Sequence, residues 1–314
     1  MTQNIMAIAG QERPASLRSV LLKPGVRWLL GGALRAPTMA QRRTRLERAA
    51  AATQFGLPRG SQFSAATLGG VPVEWVRNTR HGERGTLVYF HGGGYAIGSP
   101  RAYRNLTAQL ARRCGMAVLA PDYRLAPEHP FPAAPEDALA VYRALLDQGR
   151  PAAQIVLAGD SAGGGLALAC ALWAKAAGLP LPAGLVLFSP FTDLTLSGAS
   201  VTRCEGSECV LSRAVLDECV AAYLNGYAGQ DPLASPLFAD LSGLPPMLIQ
   251  ATDTEMLYDD AARLAASALR QGLEVQAENW PGLWHVWQAM AGTLPEANRA
   301  LDRVAHFVRA KMNP

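Results

Sequence analysis

The chain contains 314 residues, of which 49% are hydrophobic and 17% are charged, and it carries a formal net charge of +4. This composition is typical of a soluble globular protein with enough apolar material for a large core. It excludes a disulfide-stabilised scaffold, and the apolar stretch at 166–174 is far too short to span a bilayer. Length alone permits one or two domains, because single α/β folds with insertions often reach this size.

The positive charge is concentrated at the start of the chain. Residues 1–50 carry nine Lys and Arg against two acidic residues. A basic arm of this kind can bind nucleic acid or an anionic membrane surface. However, no aromatic side chain for base stacking is interleaved with Arg42, Arg43, Arg45 and Arg48. The pattern therefore favours the solvated face of a helix, with no nucleic-acid partner and no stable membrane insertion.

The cysteines and the first residues favour a cytoplasmic protein. The start of the chain lacks the basic and long apolar regions of a signal peptide. The five cysteines are an odd number, and Cys204, Cys209 and Cys219 lack the paired spacing of a metal site. We therefore expect ordinary thiols, no metal and no organic cofactor.

From about residue 71 onward, short β-rich runs alternate with helical stretches. The predicted strands cover residues 71–77, 86–90, 117–120, 155–158, 185–188, 247–251 and 273–277. The predicted helices cover residues 101–114, 136–148, 162–177, 259–271 and 295–311. Several strands are continuously apolar, as expected for strands that are covered on both faces of a parallel sheet. This alternation predicts a doubly wound α/β fold, with a mostly parallel central sheet flanked by helices.

Two regions depart from this alternation. Residues 1–50 have a helical composition, and residues 192–230 form a long interruption between two predicted strands. Both are candidates for a cap over the carboxyl edge of the sheet, where ligands bind in open α/β folds. The predicted organisation is cap helices in 1–50, the first part of a catalytic core in 51–191, a cap insertion in 192–230 and the second part of the core in 231–314.

The segment from Gly159 to Gly163 joins a predicted strand to a predicted helix and has the pattern Gly-x-Ser-x-Gly around Ser161. A sharp strand-to-helix turn of this kind holds the serine in strained backbone geometry, with its hydroxyl clear of the sheet. The glycines let strand and helix approach closely, and the N–H groups at the helix start face developing negative charge. We therefore predict a catalytic nucleophile at Ser161 rather than a glycine-rich turn with an incidental serine.

A second glycine-rich turn begins at His91 and follows a predicted strand. Its three consecutive glycines expose backbone N–H groups that no side chain shields. A tetrahedral intermediate needs two or three such donors for its oxygen. We expect these donors to be the N–H groups of Gly92, Gly93 and Ala162. Gly94 then mainly supplies flexibility, and His91 stabilises the loop by hydrogen bonding rather than acting as a base.

Only five histidines are present, and His285 lies after the last predicted strand and before the last predicted helix. In hydrolases with this nucleophile turn, the base follows the acid in the chain. The loop after the last strand but one offers Asp253 and Glu255 as acids. Asp259 and Asp260 are instead expected to open the next helix, where acids complement the helix dipole. These residues alone leave Asp253 and Glu255 open, because either carboxylate can reach the imidazole.

Further motifs accompany these residues in a fixed order. They are His-Gly-Gly-Gly-Tyr from His91, Asp-Tyr-Arg-Leu-Ala-Pro-Glu-His-Pro-Phe-Pro-Ala-Ala from Asp122, Gly-Asp-Ser-Ala-Gly-Gly-Gly from Gly159, Ser-Pro-Phe-Thr-Asp from Ser189 and Asp-Pro-Leu-Ala-Ser-Pro from Asp231. With them, the chain closely resembles the bacterial hormone-sensitive-lipase-like esterases of the α/β-hydrolase superfamily. The resemblance covers about residues 71–290.

The resemblance implies that Glu255 is the acid. The family pattern acid-x-Leu-x-Asp-acid matches Glu-Met-Leu-Tyr-Asp-Asp from Glu255, with Glu where Asp is more common. It also implies a cap made from the N-terminal helices and residues near 192–230, and many members of the family form homodimers. Tyr95, Leu211 and Tyr223 are candidates for the wall of an acyl pocket, with core packing as the alternative for each.

The expected activity is hydrolysis of short- to medium-chain carboxylic esters through an acyl-serine intermediate, with a small-molecule ester as the partner. The preference for small acyl groups is implied by the resemblance. An amidase, a lactonase or a carbamate hydrolase would use the same triad. A non-catalytic ligand receptor on this fold is expected to lack a triad member, whereas Ser161, a carboxylate loop and His285 are all present.

Overall fold

A computed structural model of the chain describes residues 15–53 and 56–312. Within them, one sheet is formed by β1 (Ser61–Leu68), β2 (Val71–Asn78), β3 (Thr86–Phe90), β4 (Ala117–Pro121), β5 (Ile155–Asp160), β6 (Gly184–Phe188), β7 (Met247–Ala251) and β8 (Val275–Asn279). The strand order is β1-β2-β4-β3-β5-β6-β7-β8. β2 is antiparallel to β1 and β4, and all other neighbours are parallel. The predicted α/β fold is confirmed.

Two long helices precede the first strand, five lie in the connections between the parallel strands, and one follows the last strand. They are α1 (Leu17–Val26), α2 (Met39–Thr53), α3 (Arg104–Cys114), α4 (Ala133–Asp147), α5 (Ala162–Ala176), α6 (Arg213–Leu224), α7 (Tyr258–Arg270) and α8 (Pro295–Met312). Shorter helical turns lie at Arg27–Gly31, Gly32–Leu34, Pro100–Tyr103, Ala152–Gln154, Ser200–Arg203, Pro236–Phe238 and Trp287–Met290. Each predicted helix is present. In the described part of the chain, no helix combines the length and the apolar character needed to cross a bilayer.

The middle of the sheet forms the core. Every residue of β3, β4, β5, β6 and β7 is buried. Their runs of Val, Leu and Ile are continuous because helices cover both faces, as in other parallel sheets. This rigid apolar layer presents its carboxyl edge, from which several loops extend.

The sequence did not predict β1, and it misplaced β8. Most residues of β1 are exposed, and its sequence Ser-Gln-Phe-Ser-Ala-Ala-Thr-Leu has no regular apolar alternation. β8 lies at Val275–Asn279 instead of 273–277. Leu273 instead belongs to the turn that ends α7, because its N–H donates to the carbonyl of Ala268 at 3.0 Å.

The arginines of α2 are only partly solvated, which corrects the prediction for this helix. Arg42 is buried, and its guanidinium forms an ion pair with Glu218 on α6 at 2.6 Å. Arg43 is half-buried and forms an ion pair with Glu128 at 2.7 Å. The other two arginines of the pattern are exposed. Half of the predicted solvated face therefore attaches α2 to the rest of the molecule.

The cysteines are buried and form no disulfide bonds. All five are free thiols, and burial raises the pKa of Cys114 to about 12. Thiols in this state are packing residues rather than nucleophiles. Across the residues that the structure describes, no three or more His, Cys, Asp or Glu side chains are grouped so that they could hold a metal ion.

Truncating a side chain in the middle of the sheet tests this core. Leu187 on β6 has no exposed surface, so Leu187→Ala leaves a cavity and should lower the free energy of unfolding by about 2–5 kcal/mol. Leu269 on α7 is 38% exposed, and Leu269→Ala is the matched control, with an expected loss below about 1 kcal/mol. Urea denaturation followed by circular dichroism measures both values. Equal losses would contradict the burial of Leu187.

Candidate active site

A cavity of about 1070 Å³, including its open mouth, lies at the carboxyl edge of the sheet. Gly93, Gly94, Asp160, Ser161 and His285 all line it. Ligands bind at this edge in open α/β folds, because the strand ends and their loops converge there. The structure therefore brings the predicted nucleophile and the predicted base into one cavity.

The remaining wall is largely apolar, and about half of its residues come from the two regions that depart from strand–helix alternation. The N-terminal helical region contributes Leu30, Leu34 and Leu46. Residues 192–230 contribute Val210, Leu211, Val215, Leu216 and Cys219. Of these, only Leu211 was predicted as a wall residue. The available signal for Val215, Leu216 and Cys219 was their helical spacing on α6.

Ser161 lies on the turn between β5 and α5. Its backbone has φ 53° and ψ −122°, a conformation that residues other than glycine rarely adopt and that is concentrated at functional sites. The Ser161 N–H donates to the carbonyl of Phe188 at 2.8 Å, and the Phe191 N–H donates to the carbonyl of Ser161 at 2.9 Å. These bonds hold the serine at the positive end of the α5 dipole.

Close backbone contacts explain the glycines on either side of Ser161. A Cβ atom at Gly163 would lie 2.0 Å from the carbonyl oxygen of Phe90, and one at Gly159 would lie 2.2 Å from the carbonyl oxygen of Gly163. Any side chain at these positions would force the backbone to move. The start of α5 therefore packs directly against the end of β3, and the loop after β3 lies next to the nucleophile.

The imidazole of His285 is bonded to a carboxylate. Its Nδ1 lies 2.7 Å from Oε2 of Glu255, and Oε1 of Glu255 accepts from the Thr252 N–H at 2.9 Å. Both His285 and Glu255 are buried. Asp253 is exposed, and its carboxylate accepts from the Gly282 N–H at 3.0 Å. The structure therefore places Glu255, and not Asp253, against the predicted base.

Three carboxylates act on the pKa of His285. Burial alone lowers the pKa of an imidazole. The hydrogen bond and charge of Glu255, together with the charges of Glu208 and Asp160, outweigh burial and raise the pKa of His285 above its ordinary value. In the neutral ring the Nδ1–H donates to Glu255, so Nε2 is the nitrogen left for proton transfer.

Gly92 is not available as an oxyanion donor, so this prediction is wrong. Its N–H donates to Oδ1 of Asp160 at 3.0 Å, and it is not among the described residues that line the cavity. Gly93 and Gly94 line the cavity instead, and neither N–H donates to an acceptor in the described part of the chain. Ala162 is the first residue of α5, where N–H groups have no partner inside the helix. The available donors are therefore Gly93, Gly94 and Ala162.

The carboxyl group of Asp160 determines where the Gly92 N–H points. It is buried, and it also accepts from the hydroxyl groups of Tyr89 at 2.6 Å and Tyr103 at 3.2 Å. Burial raises the pKa of Asp160 to about 6, although these hydrogen bonds act in the opposite direction. No role was predicted for Asp160. A charged residue at the end of an apolar strand was the available signal.

His91 stabilises the glycine loop, in agreement with the prediction. Its Nδ1 lies 2.8 Å from the Gly92 carbonyl oxygen, and its ring stacks on Tyr123 with the centroids 4.4 Å apart. The Tyr123 hydroxyl donates to the His91 carbonyl at 2.7 Å. Burial lowers the pKa of His91 to about 4, so the ring is neutral at pH 7.

Tyr95 and Tyr223 are not among the described residues that line the cavity, which favours the alternative of core packing for both. Their rings stack on each other, with centroids 3.9 Å apart and planes at 10°. A Cβ atom at Gly165 would lie 2.6 Å from the Tyr95 hydroxyl, which shows how closely this ring packs against α5. Both tyrosines are buried and serve core packing. Leu211 does line the cavity.

The chain matches known proteins in sequence. Residues 87–289 match the family model described as the alpha/beta hydrolase fold. The chain belongs to the α/β-hydrolase family. This α/β hydrolase is 47% identical over 255 residues to an acetyl-hydrolase of Streptomyces hygroscopicus. The match covers 81% of the chain and 84% of that relative. It is 39% identical over 222 residues to an esterase of Acinetobacter venetianus. This match covers 70% of the chain and 73% of that esterase.

The α/β hydrolase also matches solved structures. One is the crystal structure of an esterase from the bacterial hormone-sensitive lipase family, with a TM-score of 0.90 and 38% identity, which covers 95% of this chain and 100% of that chain. Another is a hormone-sensitive lipase from a metagenome library, with a TM-score of 0.87 and 39% identity. The match covers 93% of this chain and 98% of that chain. The resemblance to the bacterial hormone-sensitive-lipase-like esterases is confirmed.

Exchanging the two candidate acids for amides ranks them in this α/β hydrolase. Glu255→Gln removes the charge that stabilises the imidazolium of His285, so the rate of covalent labelling of Ser161 by an organophosphonate should fall by about 10²–10⁴-fold. Asp253→Asn is the matched control, and it should retain most of the labelling rate because Asp253 is exposed and its carboxylate accepts from the Gly282 N–H. A larger loss in Asp253→Asn would reverse the assignment.

The raised pKa of His285 should set the acid side of the pH profile. Labelling requires a neutral imidazole to take the Ser161 proton, so the rate falls as the pH drops through the pKa of His285. Because the pKa lies above its ordinary value of 6.5, the midpoint of labelling should lie above pH 6.5. In Glu255→Gln the residual rate should have its midpoint at lower pH. A wild-type midpoint below 6.5 would contradict the electrostatic environment described for His285.

Proposed function

We propose that this α/β hydrolase cleaves carboxylic esters with short- to medium-chain acyl groups through an acyl-Ser161 intermediate. The observation that carries the proposal is the cavity lined by both Ser161, on its strained turn, and His285, whose Nδ1 is bonded to Glu255. The acetyl-hydrolase and esterase relatives support the same chemistry.

In the first step, the hydroxyl oxygen of Ser161 attacks the carbonyl carbon of the ester, and its proton moves to Nε2 of His285. The π electrons of the carbonyl move onto its oxygen, which becomes an oxyanion. The donors available to this oxyanion are the N–H groups of Gly93, Gly94 and Ala162. Each donor of this kind lowers the barrier by about 2.7–4 kcal/mol.

The tetrahedral intermediate then collapses. The imidazolium of His285 gives its proton to the alkoxide oxygen as the C–O bond breaks, and the acyl group remains on Ser161. Water, deprotonated by His285, attacks this acyl ester. The second intermediate releases the carboxylic acid and restores the Ser161 hydroxyl. Glu255 keeps the imidazole in the correct tautomer and stabilises its charged form without taking its proton.

The cavity wall supports a preference for small acyl groups. Residues 1–50, of which the part from residue 15 is described, and residues 192–230 act as the cap of the catalytic core in this proposal. Leu34, Leu211 and Leu216 face the cavity from these segments. Each acyl CH₂ group that is buried there gains about 0.8 kcal/mol, until the chain reaches the wall.

The five free, buried thiols support a cytoplasmic setting for this activity. Disulfides are rare where cellular thiols are kept reduced, and none of these cysteines is paired. The partner in this proposal is a small-molecule ester. The homodimer that the resemblance implies stays a prediction.

Matched ester and amide substrates test the proposed function. The wild-type enzyme should hydrolyse p-nitrophenyl butyrate faster than butyryl p-nitroanilide, because the amide has the poorer leaving group. Ser161→Ala should lower ester turnover by on the order of 10⁶-fold and abolish organophosphonate labelling. Ser64→Ala, at an exposed position on β1, is the control and should leave both unchanged.

The amidase and receptor alternatives predict different results in this experiment. Faster amide cleavage would identify an amidase. Binding of the ester without turnover would identify a receptor. Labelling and turnover that survive in Ser161→Ala would remove Ser161 from the mechanism.

A further inference from the structure

Glu208 is a buried carboxylate that takes no part in the hydrolytic steps. It lies in the segment 192–230 and is 2% exposed. Its Oε1 accepts from the N–H groups of Cys209 and Val210, each at 2.8 Å, and its Oε2 accepts from the Met256 N–H at 3.2 Å. A carboxylate taken out of water is stable only when hydrogen bonds of this kind replace its hydration. Three backbone donors from two loops therefore converge on one side chain.

The bond to Met256 reaches the loop that carries the acid. Met256 follows Glu255 directly, so its N–H belongs to the same peptide plane as the Glu255 carbonyl. Glu208 thus fixes the backbone beside the carboxylate that lies 2.7 Å from Nδ1 of His285. A displacement of about 1 Å in a reacting group can cost roughly 10²-fold in rate. The orientation of the acid is therefore sensitive to Glu208.

The bonds to Oε1 reach the cavity wall. Val210 and Leu211 both line the cavity, and the Val210 N–H is held by Oε1 of Glu208. On the opposite side, the guanidinium of Arg27 donates to the carbonyl groups of Glu208 at 3.1 Å and Gly206 at 3.2 Å. The turn at Glu208 therefore connects the N-terminal region, the cavity wall and the acid loop.

Glu208 also adds negative charge near the base. The carboxylates that raise the pKa of His285 come from three elements: Glu255 on the loop after β7, Glu208 in the segment 192–230 and Asp160 at the end of β5. The cation bonded to this turn, Arg27, contacts backbone carbonyl groups rather than the carboxylate. Loss of the Glu208 charge therefore leaves less negative charge to favour the imidazolium.

We infer that Glu208 is a positioning residue, which holds the Glu255 loop and the cavity wall in register so that a bound acyl group meets an aligned triad. This role rests on the proposed ester hydrolysis. Glu208 does not touch the reacting atoms. It acts through the backbone of Met256 and Val210, and through its charge.

Glu208→Gln tests this role with little change of shape. The amide oxygen can still accept from Val210, but the NH₂ group faces the Met256 N–H and the charge is lost. For p-nitrophenyl butyrate, kcat should fall about 10- to 100-fold, as expected for loss of a hydrogen bond to a charged group. KM should stay within about twofold. The acid midpoint of kcat/KM should move to lower pH, because the charge of Glu208 that helps to raise the pKa of His285 is lost.

Glu205→Gln is the matched control. Glu205 is exposed and lies three residues earlier in the same segment, so the variant removes the same charge without touching the loop. It should retain the wild-type kcat and midpoint. Titration of reactive Ser161 with an organophosphonate corrects each rate for the folded fraction. A corrected kcat and a midpoint for Glu208→Gln that equal those of Glu205→Gln would overturn the inference.

Glu208→Asp separates the effect of the charge at position 208 from that of the side-chain length. It also provides the test if the Gln variant does not fold. Its carboxylate keeps the charge but is one methylene shorter, so it cannot hold Val210 and Met256 together. The acid midpoint should stay near that of the wild type while kcat falls. A wild-type kcat in Glu208→Asp would overturn the positioning role.

Wild-type turnover distinguishes this inference from the proposed function. If the wild-type enzyme does not hydrolyse the butyrate ester, the proposed function fails and the inference fails with it. If the wild-type enzyme hydrolyses the ester and Ser161→Ala does not, unchanged kinetics in both Glu208 variants overturn the role of Glu208 alone.

Discussion

The strained turn at Ser161 is the constraint on which the site depends. A non-glycine residue at φ 53° costs about 1–3 kcal/mol and persists only where its surroundings fix it. The hydrogen bond to Phe188 attaches the turn to the end of β6, and the contact of Gly163 with Phe90 sets it against β3. The buried parallel strands supply this rigidity. Because the loops after β3, β7 and β8 leave the same edge, the proposed oxyanion donors, acid and base lie on the same rigid sheet edge as the proposed nucleophile.

The electrostatics of the site follow from burying several carboxyl groups around one imidazole. Asp160, Glu208 and Glu255 are all buried, and each accepts hydrogen bonds from N–H or O–H groups. Their negative charge favours a positive His285, the state that the ring takes in the proposed steps while it holds the proton of Ser161 or of water. These carboxylates thus stabilise the imidazolium form of His285, although burial alone disfavours a charged group.

Local patterns predicted the parts of the site that one turn or one strand determines. Ser161 could be found because a glycine-flanked turn between strand and helix permits few other roles, and His285 because its place in the chain order is distinctive. The prediction failed where a residue far along the chain decides the outcome. The direction of the Gly92 N–H depends on Asp160, 68 positions away, and the burial of Arg42 depends on an acid on α6. β1 escaped prediction because its largely exposed sequence carries no apolar period.

The cavity combines parts of the molecule that differ in their tolerance of change. Its reacting groups sit on loops of the sheet edge, where a side chain at Gly163 would meet the backbone of Phe90. Much of its wall comes from helices outside the sheet, which contribute Leu34 and Leu216. Substitutions in the wall can therefore change the substrate preference of such an enzyme, while the reacting groups and their chemistry stay the same. A mutant library aimed at new specificity should diversify those helices and spare the edge.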